Sequence, residues 1–154
     1  MVNYAMAGAA TLVVGVVAYY FLSSKKGGKK VPLKKVELTV EAKHIEFLKE
    51  MIAKYKIKDL DKAMRICLQY AITDGDAENI FKKKRCTTCG QAPKSKKPLA
   101  TQLYAPQLAH LEKMKETYNI KDINKTARTL LEYCQTDGNR DEIFSTTRCK
   151  TCGP

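Results

Sequence analysis

The stretch VELTVEAKHIEFLKEMIAKYKIKDLDKAMRICLQYAITDG, residues 36–75, returns 63 positions later as LATQLYAPQLAHLEKMKETYNIKDINKTARTLLEYCQTDG, residues 99–138. Carried on to the cysteines, residues 36–90 and 99–153 align without a gap, and 21 of 55 aligned positions are identical. Identities include Tyr55/Tyr118, Ile57-Lys58-Asp59 against Ile120-Lys121-Asp122, Arg65/Arg128, and Ile80-Phe81 against Ile143-Phe144. A unit duplicated within one chain can pack on itself as a homodimer would, so two half-sites can be completed without a second molecule.

Each copy opens on an alternating run. Val36, Leu38 and Val40 are apolar with Glu37 and Thr39 between them, the period of a strand with one buried face. Leu99, Thr101 and Leu103 repeat the period, with Ala100, Gln102 and Tyr104 between them. A helix follows, with Ile45, Leu48, Met51, Ile52 and Tyr55 at helical spacing, or Leu108, Leu111, Met114 and Tyr118 in the second copy. Pro106 suits the first turn of that helix. Asp59 and Asp122 are placed to cap a second helix, with Leu60, Ala63, Met64, Cys67, Leu68 and Ala71 on its apolar face. Asp-Gly at 74–75 and 137–138 stops it.

A strand and two helices in under 40 residues cannot bury their own apolar faces, and a single strand has open edges. Two units solve both problems if their strands pair as an antiparallel ribbon and four helices cover one side. This order, carried by VELTV, the helix through Tyr55, the turn and DLDKAMRICLQYA, resembles the ribbon-helix-helix family of the MetJ and Arc type over 36–72 and 99–135. The resemblance implies a contact face on the ribbon's outward side chains: Glu37, Thr39, Ala100, Gln102 and Tyr104. An acidic residue and an alanine there suit DNA poorly.

The six cysteines fall into two classes. Cys67 and Cys134 lie on apolar stripes and align with Leu130 and Ala71, the pattern of core thiols. The other four form Cys86-Thr87-Thr88-Cys89-Gly90 and Cys149-Lys150-Thr151-Cys152-Gly153. Cys-x-x-Cys-Gly is a metal-knuckle pattern, and two knuckles give the Cys₄ set of one structural zinc at Zn–S ~2.3 Å. The duplication accounts for the long spacing, since each copy supplies half. Arg85 and Arg148 would offset the charge of that centre. An iron–sulfur cluster, redox pairs and disulfides are the competing readings.

Residues 1–24 carry no charge, and Tyr4–Leu22 is almost wholly apolar, which predicts a transmembrane helix. The chain then divides into an anchor (1–24), a basic linker (25–35), repeat one (36–90), a second basic linker (91–98) and repeat two (99–154). The expected fold class is α+β, mostly α: a transmembrane helix followed by an intramolecular pseudo-dimer. Of the formal net charge of +12, the linker 25–35 holds six lysines, Lys25, Lys26, Lys29, Lys30, Lys34 and Lys35. Positive charge is retained on the cytosolic side, so the soluble part is expected there, at the mitochondrial outer membrane or endoplasmic reticulum in a eukaryote. The same lysines are candidates for anionic-lipid contacts.

Catalytic motifs are lacking around the two histidines: His44 opens a helix, His110 aligns with Phe47, and neither sits in an HExxH motif. The sequence thus points to a non-enzymatic, zinc-stabilised binding or adaptor module with an unknown protein partner. Ribbon-helix-helix nucleic-acid binding and iron–sulfur or thiol redox chemistry are the alternatives.

Overall fold

The computed structural model describes residues 31–73, 75–83 and 96–146. Its elements run β1 (Leu33–Glu41), α1 (Ala42–Tyr55), α2 (Leu60–Thr73), a single π-helical turn (Asn79–Lys83), β2 (Lys96–Tyr104), α3 (Ala105–Thr117), α4 (Ile123–Thr136) and a second π-turn (Glu142–Thr146). β1 and β2 start inside segments that composition alone marks as linkers, because the lysines there extend each strand beyond the apolar alternation.

The two strands form one antiparallel, two-stranded sheet in which Glu37 faces Ala100. Those two residues are also aligned counterparts in the duplication. An antiparallel pair of equivalent strands registered on its own counterpart carries a pseudo-twofold axis at that pair. Leu38, Val40, Leu99, Thr101 and Leu103 point inward and are buried, while Glu37 and Ala100 are exposed. The ribbon therefore has one helix-covered face and one outer face.

Local chemistry repeats across the axis. Asp59 Oδ1 accepts from Lys62 N–H and Asp122 Oδ1 from Lys125 N–H, both at 2.7 Å, so each carboxylate takes up an otherwise unpaired amide of a helix start. α1 ends on Lys56 at φ 52°, and Asn119, its counterpart after α3, has φ 49°. That left-handed turn lets Ile57 N–H reach Ile52 O at 3.1 Å, and Ile120 N–H reach Lys115 O at 2.8 Å. Gly75 and Gly138 follow the second helices where an added Cβ would displace a neighbour, lying 2.7 Å from Ile80 Cδ1 and 2.6 Å from Ile143 Cδ1.

The copies are locked by reciprocal contacts. Arg65 Nη1 donates to Gln102 O at 2.9 Å, and Arg128 Nη1 to Thr39 O at 2.8 Å, so each second helix holds the other copy's strand. The π-turns cross over likewise. Phe144 stacks on Tyr55 at 5.7 Å between ring centroids and meets Phe47 edge-on at 5.9 Å. Phe81 stacks on Tyr118 at 6.0 Å and tilts against His110 at 6.3 Å. α2 and α4 lie centrally, and Ala63–Leu68 and Thr126–Leu131 are buried around most of each helix.

The expected transmembrane helix falls on residues outside the described ones, and among the described residues no helix is long and apolar enough to cross a membrane. The longest have 14 residues, about 21 Å at 1.5 Å per residue, against a ~30 Å hydrocarbon core. Their apolar faces are already spent on one another. The fold class is corrected accordingly to an α+β unit, mostly helical, with one two-stranded sheet, and the single-pass membrane localisation is withdrawn with it.

Replacing Phe144 with alanine removes a buried ring that joins the copies. It should cost about 3–5 kcal/mol in urea denaturation. The exposed control Glu50→Ala should stay within ~0.5 kcal/mol. Equal losses would show that the crossed π-turns do not secure the pairing.

Candidate functional site

The outer face of the ribbon is built by alternation. With Leu38 and Val40 committed inward, Lys35, Glu37 and Thr39 must point out, and opposite them lie Gln102, Ala100 and Pro98. Glu37 and Ala100 are exposed, whereas Thr39, Gln102 and Tyr104 are half-buried. Tyr104 is occupied by the fold: its backbone N–H donates to Gln107 Oε1 at 3.2 Å at the start of α3, and the Arg65 guanidinium lies 5.8 Å from its ring centroid. The other four positions form the accessible part of the face.

A groove of about 410 Å³ runs along one flank, lined by Lys35, Glu37, Asp61, Ala100, Thr101 and Gln102. The opposite flank carries different residues at these positions, and at one of them the difference removes a charge. Asn124 is the counterpart of Asp61, and its Oδ1 accepts from Thr39 N–H at 2.9 Å. One flank is thus stitched by a neutral amide, while the other presents a carboxylate. Lys34 and Lys35 are exposed at one end of the ribbon, with Lys96 and Lys97 at the other. Charge along the face is basic at both ends and acidic at the axis and groove.

A second cluster lies at the end of β1. His44 is 1% exposed, and its Nε2 lies 3.0 Å from Glu132 Oε2 on α4. Lys43 Nζ is 2.5 Å from the same oxygen and 3.5 Å from Glu41 Oε2. Burial holds His44 below its ordinary pKa, only partly offset by Glu132. The imidazole is therefore neutral near pH 7, and its Nε2–H donates to the carboxylate. Burial alone would raise Glu132, but hydrogen bonds and charge from Lys43 and His44 outweigh it, so the carboxyl stays ionised below its usual range. Lys43 also loses water, yet Glu132 and Glu41 raise its pKa overall. Helical spacing alone hides this cluster: His44 looks like a helix-opening surface residue, and Glu132 belongs to the other copy. Had the sequence been threaded through the pseudo-dyad, the three residues would have converged.

Cys67 and Cys134 are fully buried free thiols. They meet across the interface: a hydrogen bond with Cys134, together with burial, holds Cys67 well above the ordinary thiol range, so it stays protonated and unreactive. Cys86, Cys89, Cys149 and Cys152, with Arg85 and Arg148, lie outside the described residues, as do Lys25, Lys26, Lys29 and Lys30. His110 is half-buried against Phe81, and burial followed by the charge of Lys113 lowers its pKa.

The chain matches no family model, no curated protein and no solved structure.

The His44–Glu132 pair sets a pH dependence. An unfolded His44 takes up its proton near pH ~6.5, while the folded imidazole does so only at lower pH. Between those values the unfolded chain binds more protons, so stability falls as pH drops. Glu132 acts in the same sense: its contribution is present above the ordinary carboxylate pKa and is lost as pH falls through its depressed value. Thermal midpoints should fall between pH ~7 and ~5, and His44→Gln should flatten that decline. An unaltered pH profile in the variant would remove His44 as its source.

Proposed function

We propose that this chain is a non-catalytic binding module whose contact surface is the outer face of the ribbon and its Asp61 flank. One observation carries the reading: the face opposite the core is exposed at its centre, and beside it lies a groove bordered by the Asp61 carboxylate, whereas on the other flank Asn124 is tied to the Thr39 backbone. Its chemistry favours a protein partner. Glu37 and Asp61 place carboxylates where a nucleic-acid backbone would bring phosphates, and like charges there oppose binding. A polypeptide can answer Lys35, Glu37 and Asp61 separately and can use the Gln102 side-chain amide. Both histidines are engaged in packing, consistent with a module that binds rather than reacts.

The resemblance of the sequence pattern to ribbon-helix-helix proteins and the lysine pairs at both ends of the ribbon support nucleic acid as a second reading. Zinc held by Cys86, Cys89, Cys149 and Cys152 belongs to the main proposal as a clamp. Its support is the duplicated Cys-x-x-Cys-Gly motif that follows each of two dyad-related π-turns.

A photo-crosslinking residue at Ala100 should trap a defined protein partner in cells, one at Glu112 on α3 should not, and Glu37→Lys with Asp61→Lys should abolish the adduct. Unchanged crosslinking in that variant removes the ribbon face as the contact. In parallel, anisotropy with duplex DNA separates the second reading: binding through Lys34, Lys35, Lys96 and Lys97 would weaken with salt at a log–log slope of about −0.9 per phosphate contact. The protein reading expects no such binding.

A further inference from the structure

Glu41, His44 and Glu132 converge at the corner where β1 passes into α1 and meets α4 of the other copy. One ligand atom from each lies within 4.8 Å of the other two. Glu41 and His44 are 4% and 1% exposed, and the Glu132 side chain 13%. We propose that these three side chains form a site for a divalent first-row metal ion, of which Zn²⁺ is the natural probe, bridging the two repeats and separate from the Cys-x-x-Cys pairs.

The donor set fits. One imidazole and two carboxylates are nitrogen and oxygen ligands that Zn²⁺ accepts, and three protein ligands leave a position for water. His44 Nε2 faces Glu132 Oε2 at 3.0 Å and becomes the ligand atom as its proton is released to solvent on ion binding. The ring's Nδ1 is buried without a hydrogen-bond partner, so the fold engages only one ring nitrogen.

The duplication supplies an internal control. The aligned counterparts of Glu41, His44 and Glu132 are Tyr104, Gln107 and Gln69, all uncharged. There Gln107 serves the fold: Oε1 accepts from Tyr104 N–H at 3.2 Å and Nε2 donates to Arg65 O at 3.1 Å. The architecture closes this corner without ionisable groups, so packing does not require the Glu-His-Glu set. Two largely buried carboxylates and a neutral imidazole carry −2, and Lys43 leaves −1. A divalent ion in place of that ammonium brings the corner to neutrality, which a desolvated cluster favours.

Lys43 fixes how the ion would enter. Its Nζ bridges Glu132 and Glu41, and its side chain is 37% exposed. The ammonium can therefore withdraw to solvent while the carboxylates stay. Metal and lysine compete for the same oxygens.

The test is native mass spectrometry of the full reduced chain titrated with Zn²⁺, wild type against Glu41→Tyr/His44→Gln/Glu132→Gln, which imports the residues of the other copy. The variant should bind one ion fewer, whatever the cysteines hold. With Co²⁺, the wild-type-minus-variant spectrum should show d–d bands without thiolate charge transfer. Lys43→Ala should bind its ion roughly tenfold more tightly by removing the competing charge. If the triple variant fails to fold by circular dichroism, His44→Gln alone decides, with an expected loss of at least about tenfold in affinity. Equal metal counts, a difference spectrum carrying thiolate charge transfer, unchanged affinity in Lys43→Ala, or unchanged affinity in His44→Gln would each overturn the site.

Discussion

The pairing of β1 with β2, registered so that Glu37 meets Ala100, is the constraint on which the rest depends. That register makes every aligned residue a dyad mate. It carries Arg65 to the strand of the second copy and Arg128 to the strand of the first. It also brings Phe144 onto Tyr55 and Phe81 onto Tyr118. Shifting the pairing by one residue would turn one strand's apolar set, Leu38 and Val40 or Leu99 and Leu103, to the outer face. Neither copy would then find the partner its π-turn needs. The two-stranded sheet is too small to persist alone. It is held because four helices and two crossed aromatic contacts are built on the same axis.

Much of this was legible in the sequence, for reasons that differ by element. Alternation in VELTV is a local property, and it places Leu38 and Val40 inside and Glu37 outside without further knowledge. Asp59 and Asp122 act on amides three residues away, so their capping role can also be read locally. What was hidden depends on the partner copy. The stripe read through Ile45, Ile52 and Tyr55 sits at the rim of the core, while His44 and Phe47 are buried, because α1 is packed by the other copy's π-turn and α4 as well as by its own α2. α2 and α4 are buried around most of their circumference, which a two-sided helical pattern does not show. The thiol contact of Cys67 with Cys134 joins positions that are not aligned counterparts, so neither residue announces the other.

Of the candidate contact face, alternation fixed which side chains point outward but not which are free to act. Tyr104 has the right parity and an aromatic ring, yet it sits at the start of α3 and lies against Arg65. Asp61 has no strand parity at all and enters the face because the start of α2 abuts the ribbon. The apolar N-terminal run lies outside the described residues; among the described helices the longest are about two-thirds of the length a span needs and bury their apolar sides in one another.

Fusion of the copies in one chain is what allows the two ends of the axis to diverge. In a homodimer of the first copy, Glu37 would face Glu37 across the axis, and like charges directly opposed on a ribbon are destabilising. The fused chain sets Glu37 against Ala100 and avoids the conflict while keeping a carboxylate at the centre of the face. The corner follows the same logic. A homodimer of the first copy would assemble Glu41 and His44 with Gln69, and a homodimer of the second would assemble Tyr104 and Gln107 with Glu132. Neither contains the complete Glu-His-Glu set. Only the duplicated chain brings both halves together, and it does so once, at one end, while the other end keeps its neutral glutamines for the work of holding the fold.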